Sequence, residues 1–300
     1  MNLLRKILFA FFFGAALFLS AAPIYLVTGN KLRIRGVGLA SQLKLVFASD
    51  IHLTEADERD AQYQENYKRM AQCVGNPAGL LKVLETAQKA DMLILGGDIL
   101  SFPSLANVDF VANAMKDLQK PWHFLNGNHD WHFENLPETD GDRRAEWSAN
   151  RLAPLFQGRN PLMCSCVVKG VKIIMLDNGT GEILPEQLDF FRQEIADGKP
   201  ALLALHIPLF VSGRGLDYAC GHPDWTPADP AEKPAYNPQW GEHTHAQSTQ
   251  DFCQAVWTAP NLIAILAGHT HVPATDYQKG KLQIVAPLGS RGDCLEITVQ

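Results

Sequence analysis

The sequence predicts an α/β fold. Apolar runs of four to six residues alternate with amphipathic stretches of helical period over most of the 300 residues. An apolar fraction of 46 % supplies enough material for a full-sized core at that length. The last runs follow one another without a helical stretch between them, which adds antiparallel hairpins at the C-terminal end.

In chain order, 43–48 reads as a buried strand, and 67–88 carries helical period broken at Gly75-Asn76-Pro77. Residues 92–95 form a second strand, 105–118 a helix and 122–125 a third strand. A strand at 171–176 precedes a helix at about 185–196, entered through Pro185. Residues 201–205 and 262–267 are further apolar strands, and 281–286 and 294–299 complete the set. Between Pro208 and His245 lies a long, poorly periodic stretch with six prolines, Tyr218, Trp225, Tyr236 and Trp240. Loops of this length are usually functional or disordered, and the aromatic content favours an ordered one.

The first 27 residues read as a targeting segment. Arg5 and Lys6 precede an apolar run from Ile7 to Leu19, and Ser20-Ala21-Ala22 follows. The run can be extended through Pro23 to Val27, about 21 residues, enough to span a bilayer uncleaved. Pro23 directly after Ala22 is a poor cleavage context, which favours an anchor over a cleaved signal peptide. Lys31, Arg33 and Arg35 then mark residues 28–42 as a basic linker. The expectation is an exported chain, membrane-anchored or secreted, with its catalytic domain (43–300) outside the cytoplasm. Its six cysteines would then meet an oxidising compartment, where scattered buried thiols or one or two disulfides are the plainer expectation and a structural zinc site the sharper one.

Net charge is −6, and no run of Lys or Arg occurs. Long nucleic acid is therefore a poor substrate candidate, whereas a small phosphate ester is compatible because bound cations reverse a local field.

Chemistry-bearing residues recur where apolar runs stop. The first strand ends in Ser49-Asp50-Ile51-His52, the second in Gly96-Gly97-Asp98 and the third in Gly127-Asn128-His129-Asp130. The run from Ala201 ends at His206, and that from Leu262 in Gly268-His269-Thr270-His271. Loops beyond the carboxyl ends of strands are where open α/β sheets bind ligands. Carboxylate, imidazole and amide donors suit Mn, Fe or Zn. In Asp50-x-His52 and His269-x-His271 the spacing puts both side chains on one face if the backbone stays extended. Any one fragment is weak: a lone Asp-x-His caps a strand, a lone Gly-Asp makes a turn, and a lone His206 packs in a core. Five in order, each after a strand, point to a two-metal site.

This motif set resembles that of the calcineurin-like metallophosphoesterases, over about Leu43 to Ala286. The resemblance implies a four-layer α/β/β/α sandwich of two mixed sheets flanked by helices. It implies two divalent transition-metal ions (Mn, Fe, Zn or Ni). One would be held by Asp50, His52, Asp98 and His271, the other by Asp98, Asn128, His206 and His269, with Asp98 bridging. His129 would act near the leaving group, with Asp130 as its hydrogen-bonded partner. Ile99 and Leu100 follow Asp98 where the purple acid phosphatase branch carries a tyrosine, which places the chain outside that branch.

The resemblance implies a metal-dependent phosphohydrolase, a metal-activated hydroxide attacking phosphorus, with mono- and diester substrates both open. Within the long loop, Trp225, Tyr236, Trp240 and His243 are candidates for shaping substrate choice; a solvated insertion packed on itself is the plainer alternative. Two other functions compete. A metal-binding protein without catalysis is disfavoured by the intact motifs, and a nuclease by the acidic balance.

Overall fold

In the computed structural model, residues 22–63, 75, 77–131, 144–223 and 245–300 are described. They form two six-stranded mixed sheets. The first has the order β1-β2-β12-β3-β4-β5, and the second β10-β11-β9-β8-β7-β6. In the first are β1 (Ile24–Thr28), β2 (Lys31–Arg35), β3 (Leu43–Ala48), β4 (Met92–Gly96), β5 (Trp122–Leu125) and β12 (Leu295–Val299). The second holds β6 (Met163–Val168), β7 (Val171–Leu176), β8 (Ala201–Ala204), β9 (Leu262–Ala267), β10 (Ala274–Gln278) and β11 (Lys281–Val285).

Three apolar interfaces make four layers. Alternate residues of one strand face opposite ways, so Leu43, Leu45 and Phe47 enter the space between the sheets, while Val46 and Ala48 face outward. The inner layer joins them to Ile173 and Met175 of β7, Leu202 of β8 and Leu266 of β9. Gly96 is small because the Phe47 ring lies where a Cβ would stand. Phe47 is wholly buried, and its truncation to Ala would cost about 3–5 kcal/mol.

On the outer face of the first sheet lie α1 (Pro77–Ala87), α2 (Leu105–Lys116), α3 (Arg144–Trp147), a π-helical turn (Ser148–Leu152) and α4 (Ala153–Phe156). Ser104 caps α2 by accepting the Asn107 amide at 3.0 Å. Outside the second sheet lie α5 (Pro185–Ile195) and α6 (Gln247–Thr258), packed through Phe191 and Phe252. Pro185 starts α5, and Gln187 Oε1 accepts the Leu184 amide at 2.9 Å.

Several expectations change. The stretch expected as a basic linker, 28–42, contains β2. Its Lys-Leu-Arg-Ile-Arg alternation buries Leu32 and Ile34 completely in the inner layer while the cations face solvent. Among the described residues the first sheet therefore includes β1 and β2 upstream of Leu43, and Ile24 to Val27 belong to a strand rather than to a membrane-spanning run. Among the described residues no helix is long and apolar enough to cross a membrane. The C-terminal hairpin is β10–β11, and β12 crosses to the first sheet between β2 and β3. The upstream part of the helix expected over 67–88 and the loop candidates Trp225, Tyr236, Trp240 and His243 lie outside the described residues.

Candidate metal centre

Strands β3, β4 and β5 run parallel, as do β8 and β9, so their carboxyl ends open onto common ground. Beyond the strands the loops stay zipped. The Asp50 amide donates to Gly97 O (3.0 Å), His52 to Asp98 O (2.9 Å), and Gly268 to His206 O (2.8 Å). His269 N lies 3.0 Å from Asp50 Oδ2, which links the two sheets.

The backbone here departs from the extended form assumed for the two i, i+2 pairs. Asp50, His52, Asp98, His269 and His271 all have positive φ, from 52° to 74°. Left-handed backbone costs a non-glycine residue roughly 1–2 kcal/mol and persists only where its surroundings impose it. It turns each chain back sharply and aims both members of each pair into one cluster. Glycine makes the room. A Cβ at Gly97 would overlap His206 Nδ1, one at Gly127 the Asp98 carboxylate, and one at Gly268 Ser49 Oγ and the Asp50 carboxylate.

The donors fall into groups that share Asp98. His52 Nε2 lies 2.9 Å from His271 Nε2 and 3.9 Å from Asp98 Oδ2, and His271 Nε2 lies 3.5 Å from Asp50 Oδ1. His206 Nε2 lies 3.1 Å from Asp98 Oδ2, and His269 Nδ1 lies 2.9 Å from Asn128 Oδ1. Three sets have ligand atoms within 4.8 Å of one another and could each hold a metal ion: Asp50/His52/His271, His52/Asp98/His129 and Asp98/His206/His269.

Burial and charge set the protonation of the metal-free cluster. Burial pulls the imidazoles of His52 and His269 down to about 3, so both stay neutral, the form that binds metal. Burial would also lower His206, but the Asp98 charge outweighs it and holds His206 up to about 9. Asp98 sits well below the usual carboxylate range despite its burial, because His206, His129 and His52 surround it. Burial raises Asp50. His206 Nδ1 lies 3.0 Å from Gly96 O; donating there leaves Nε2 facing Asp98. That buried Nε2 makes no hydrogen bond among the described residues, although Asp98 Oδ2 is close. A buried nitrogen and a carboxylate that meet out of line fit a cation set between them.

His129 stands beside both groups. Its amide donates to Asp98 Oδ1 at 2.9 Å, and its ring meets His52 edge to face at a centroid distance of 5.0 Å. Asp130 does not take the role expected of it as partner of His129. Its wholly buried carboxylate accepts three backbone amides instead, from Asp98 (2.7 Å), Gly127 (2.7 Å) and Leu100 (2.8 Å). Burial, with the Asp98 charge next, pushes that carboxyl up to about 7. Asp130 is the brace that fixes the loops after β4 and β5 to each other.

Two supporting residues escaped the sequence reading. Asn178 Oδ1 accepts the amides of His206 (3.1 Å) and Ile207 (3.0 Å) and so shapes the loop after β8. Asp177 accepts from Asn126 Nδ2 at 3.0 Å and from the Gly179 amide at 2.9 Å. The signal was present, since Asp177-Asn178 directly follow β7 like the other motif residues. The remaining described histidines pack elsewhere. His123 faces Cys164, His222 lies against Phe210, and His245 Nδ1 pairs with Glu182 at 2.7 Å.

Residues 43–273 match the family model of the calcineurin-like phosphoesterases. A Psychrobacter arcticus protein described as a "probable cyclic nucleotide phosphodiesterase" is 22% identical over 248 residues, covering 80% of this chain and 77% of its own. Among solved structures, a purple acid phosphatase from yellow lupin seeds aligns with a TM-score of 0.51 at 14% identity, over 88% of this chain and 47% of that one. Likeness at that identity speaks to the fold alone. A dimetal phosphatase from Danio rerio aligns at a TM-score of 0.49 and 12% identity, over 83% of this chain and 88% of that one.

Proposed function

The chain belongs to the calcineurin-like phosphoesterase family and is a phosphoric ester hydrolase, and we propose that it works with two divalent transition-metal ions (Mn, Fe, Zn or Ni). The observation that supports this most directly is the convergence of donors from five strand ends around Asp98. Asp50, His52, Asp98 and His271 would hold one ion; Asp98, Asn128, His206 and His269 would hold the other. When bound, such ions polarise phosphoryl oxygens and acidify water. The absence of a tyrosine after Asp98 favours a site outside the purple branch.

The chain's own work is to hold the donors and handle the proton. The left-handed turns and the Asp130 brace would hold the donors in position. His129, beside His52 and Asp98, would give a proton to the departing oxygen. Trp225, Tyr236, Trp240 and His243 would shape substrate choice; deletion within 224–244 should then change which esters are cut, and unchanged selectivity would count against it.

The N-terminal segment would export the chain and leave it anchored or secreted, with catalysis outside the cytoplasm. Fractionation of cells carrying the tagged full chain tests this, and cytosolic activity would refute it.

For the catalytic reading, the full chain is stripped of metal and reloaded with Mn, Zn, Fe, Ni or Mg. Hydrolysis is followed on p-nitrophenyl phosphate, on bis-p-nitrophenyl phosphate and on a cyclic nucleotide. The relative's description makes a diester the first substrate to try. Metal-dependent cleavage that disappears in Asp98→Ala supports the reading. No cleavage of any ester by protein carrying two ions overturns it.

A further inference from the structure

The helices over the first sheet pack on β3, β4 and β5, through Val46, Ala48, Leu93, Leu95 and Phe124. Among the described residues they do not extend over β1 and β2. The register shows what that bare outer face carries. Ile24 stands opposite Arg35, Leu26 opposite Arg33, and Thr28 opposite Lys31. Continuing across the sheet, Arg33 pairs with Thr298 of β12, and Thr298 with Lys44 of β3. Leu26, Arg33, Thr298 and Lys44 thus form one transverse row on one face. All three cations of β2 are exposed, and so are Ile24 (60%) and Leu26 (43%). A cleft of about 290 Å³ opens along this face, lined among others by Lys31, Arg33, Lys44 and Lys89 with the hydroxyls of Thr86 and Thr298.

Among the described residues Glu296, 3.1 Å from Lys31, is the only acid paired with these cations. The chain as a whole carries −6, so a face with five cations and one acid runs against its average. Apolar side chains set among arginines suit an interface between headgroups and acyl chains better than plain water. The face also begins at Ile24, directly downstream of the apolar run 7–19.

We infer that this uncovered face of the first sheet is a docking surface for an anionic phospholipid bilayer. Arg33, Arg35, Lys31 and Lys44 meet the acidic headgroups, and Ile24 and Leu26 sink between them. Lys44 lies at the start of β3, and the candidate ligands follow its other end, about 20 Å away by strand rise. The proposed docking residues and the candidate ligands are therefore separate parts of the molecule. The inference is independent of the catalytic reading, and it differs from anchoring by the N-terminal segment in depending on lipid charge.

The test compares the full chain with the full-length double variant Arg33→Glu/Arg35→Glu in vesicle flotation. One set of vesicles is rich in phosphatidylglycerol and the other is pure phosphatidylcholine. The variant should bind the anionic vesicles about thirtyfold more weakly, at roughly fivefold per cation lost. The difference should vanish on phosphatidylcholine and in high salt. Equal binding of both proteins to anionic vesicles overturns the inference where neither protein floats with neutral vesicles, which shows that the N-terminal segment is not holding them. Tighter binding of single-stranded RNA than of anionic vesicles also overturns it and gives the face to nucleic acid. A second measurement needs no substitution: amide exchange in β1 and β2 of the wild-type chain should slow on anionic but not on neutral vesicles. Identical exchange on both overturns the inference.

Discussion

The donors around His206 and those around His271 have similar chemistry, but they differ in burial. The His206 side chain is wholly buried, locked by Gly96 O and held by an amide clamp from Asn178. His271 is open, with 39% of its side chain exposed. The closed half is made by packing. The open half is completed from the solvent side, where a substrate oxygen can enter. One half of such a site can therefore contribute to stability while the other exchanges with solution.

The largest test of that contrast removes what the halves share. Asp98→Ala should lose both ions and all measurable hydrolysis, read by elemental analysis and assay; retention of two ions would break the bridging assignment. Next is His129→Ala. Turnover should fall about 10²–10⁴-fold with metal content unchanged in both halves, and loss of metal would make His129 a ligand. The third sets the halves against each other in metal-free protein. His206→Ala empties a buried position and should cost about 3 kcal/mol in urea unfolding, while His271→Ala should stay within about 0.5 kcal/mol. Equal costs would erase the distinction. The smallest sharpens the open half. Gly268→Ala pushes a Cβ into Ser49 and Asp50 and should cost about 2 kcal/mol. It should weaken the ion at Asp50 more than the ion at His206, as read by competition with a chelator.

What the sequence disclosed follows burial. Strands β3, β5, β7 and β9 fall where the apolar runs place them, because both faces are covered and nearly every residue is apolar. Strand β1 was missed because its apolar residues continue the run read as a membrane span, and β10 because its sequence, Ala-Thr-Asp-Tyr-Gln, is largely polar; the structure gives no such reason for β6. Strand β2 alternates cleanly, but its three cations read as a linker. Helix α6 was hidden by a polar start, Gln247-Ser248-Thr249-Gln250. The motif residues lie close to one another at the strand ends. Their left-handed backbone was not legible, since φ there is imposed by contacts with residues far away in the chain. The role of Asp130 was not legible either. Adjacency to His129 suggested a side-chain partner, whereas the amides it accepts come from loops brought close by the sheet.

The placement of β12 has a consequence for how the molecule is made. The last strand of the chain does not sit at an edge; it fills the gap between β2 and β3, pairing parallel with one and antiparallel with the other. Until Val299 has left the ribosome, the β1–β2 hairpin has no neighbour to join, and the first sheet lacks an interior member. The first sheet is therefore completed only when β12 has been made and inserted between β2 and β3. Loss of β12 would not trim an edge but divide the first sheet in two.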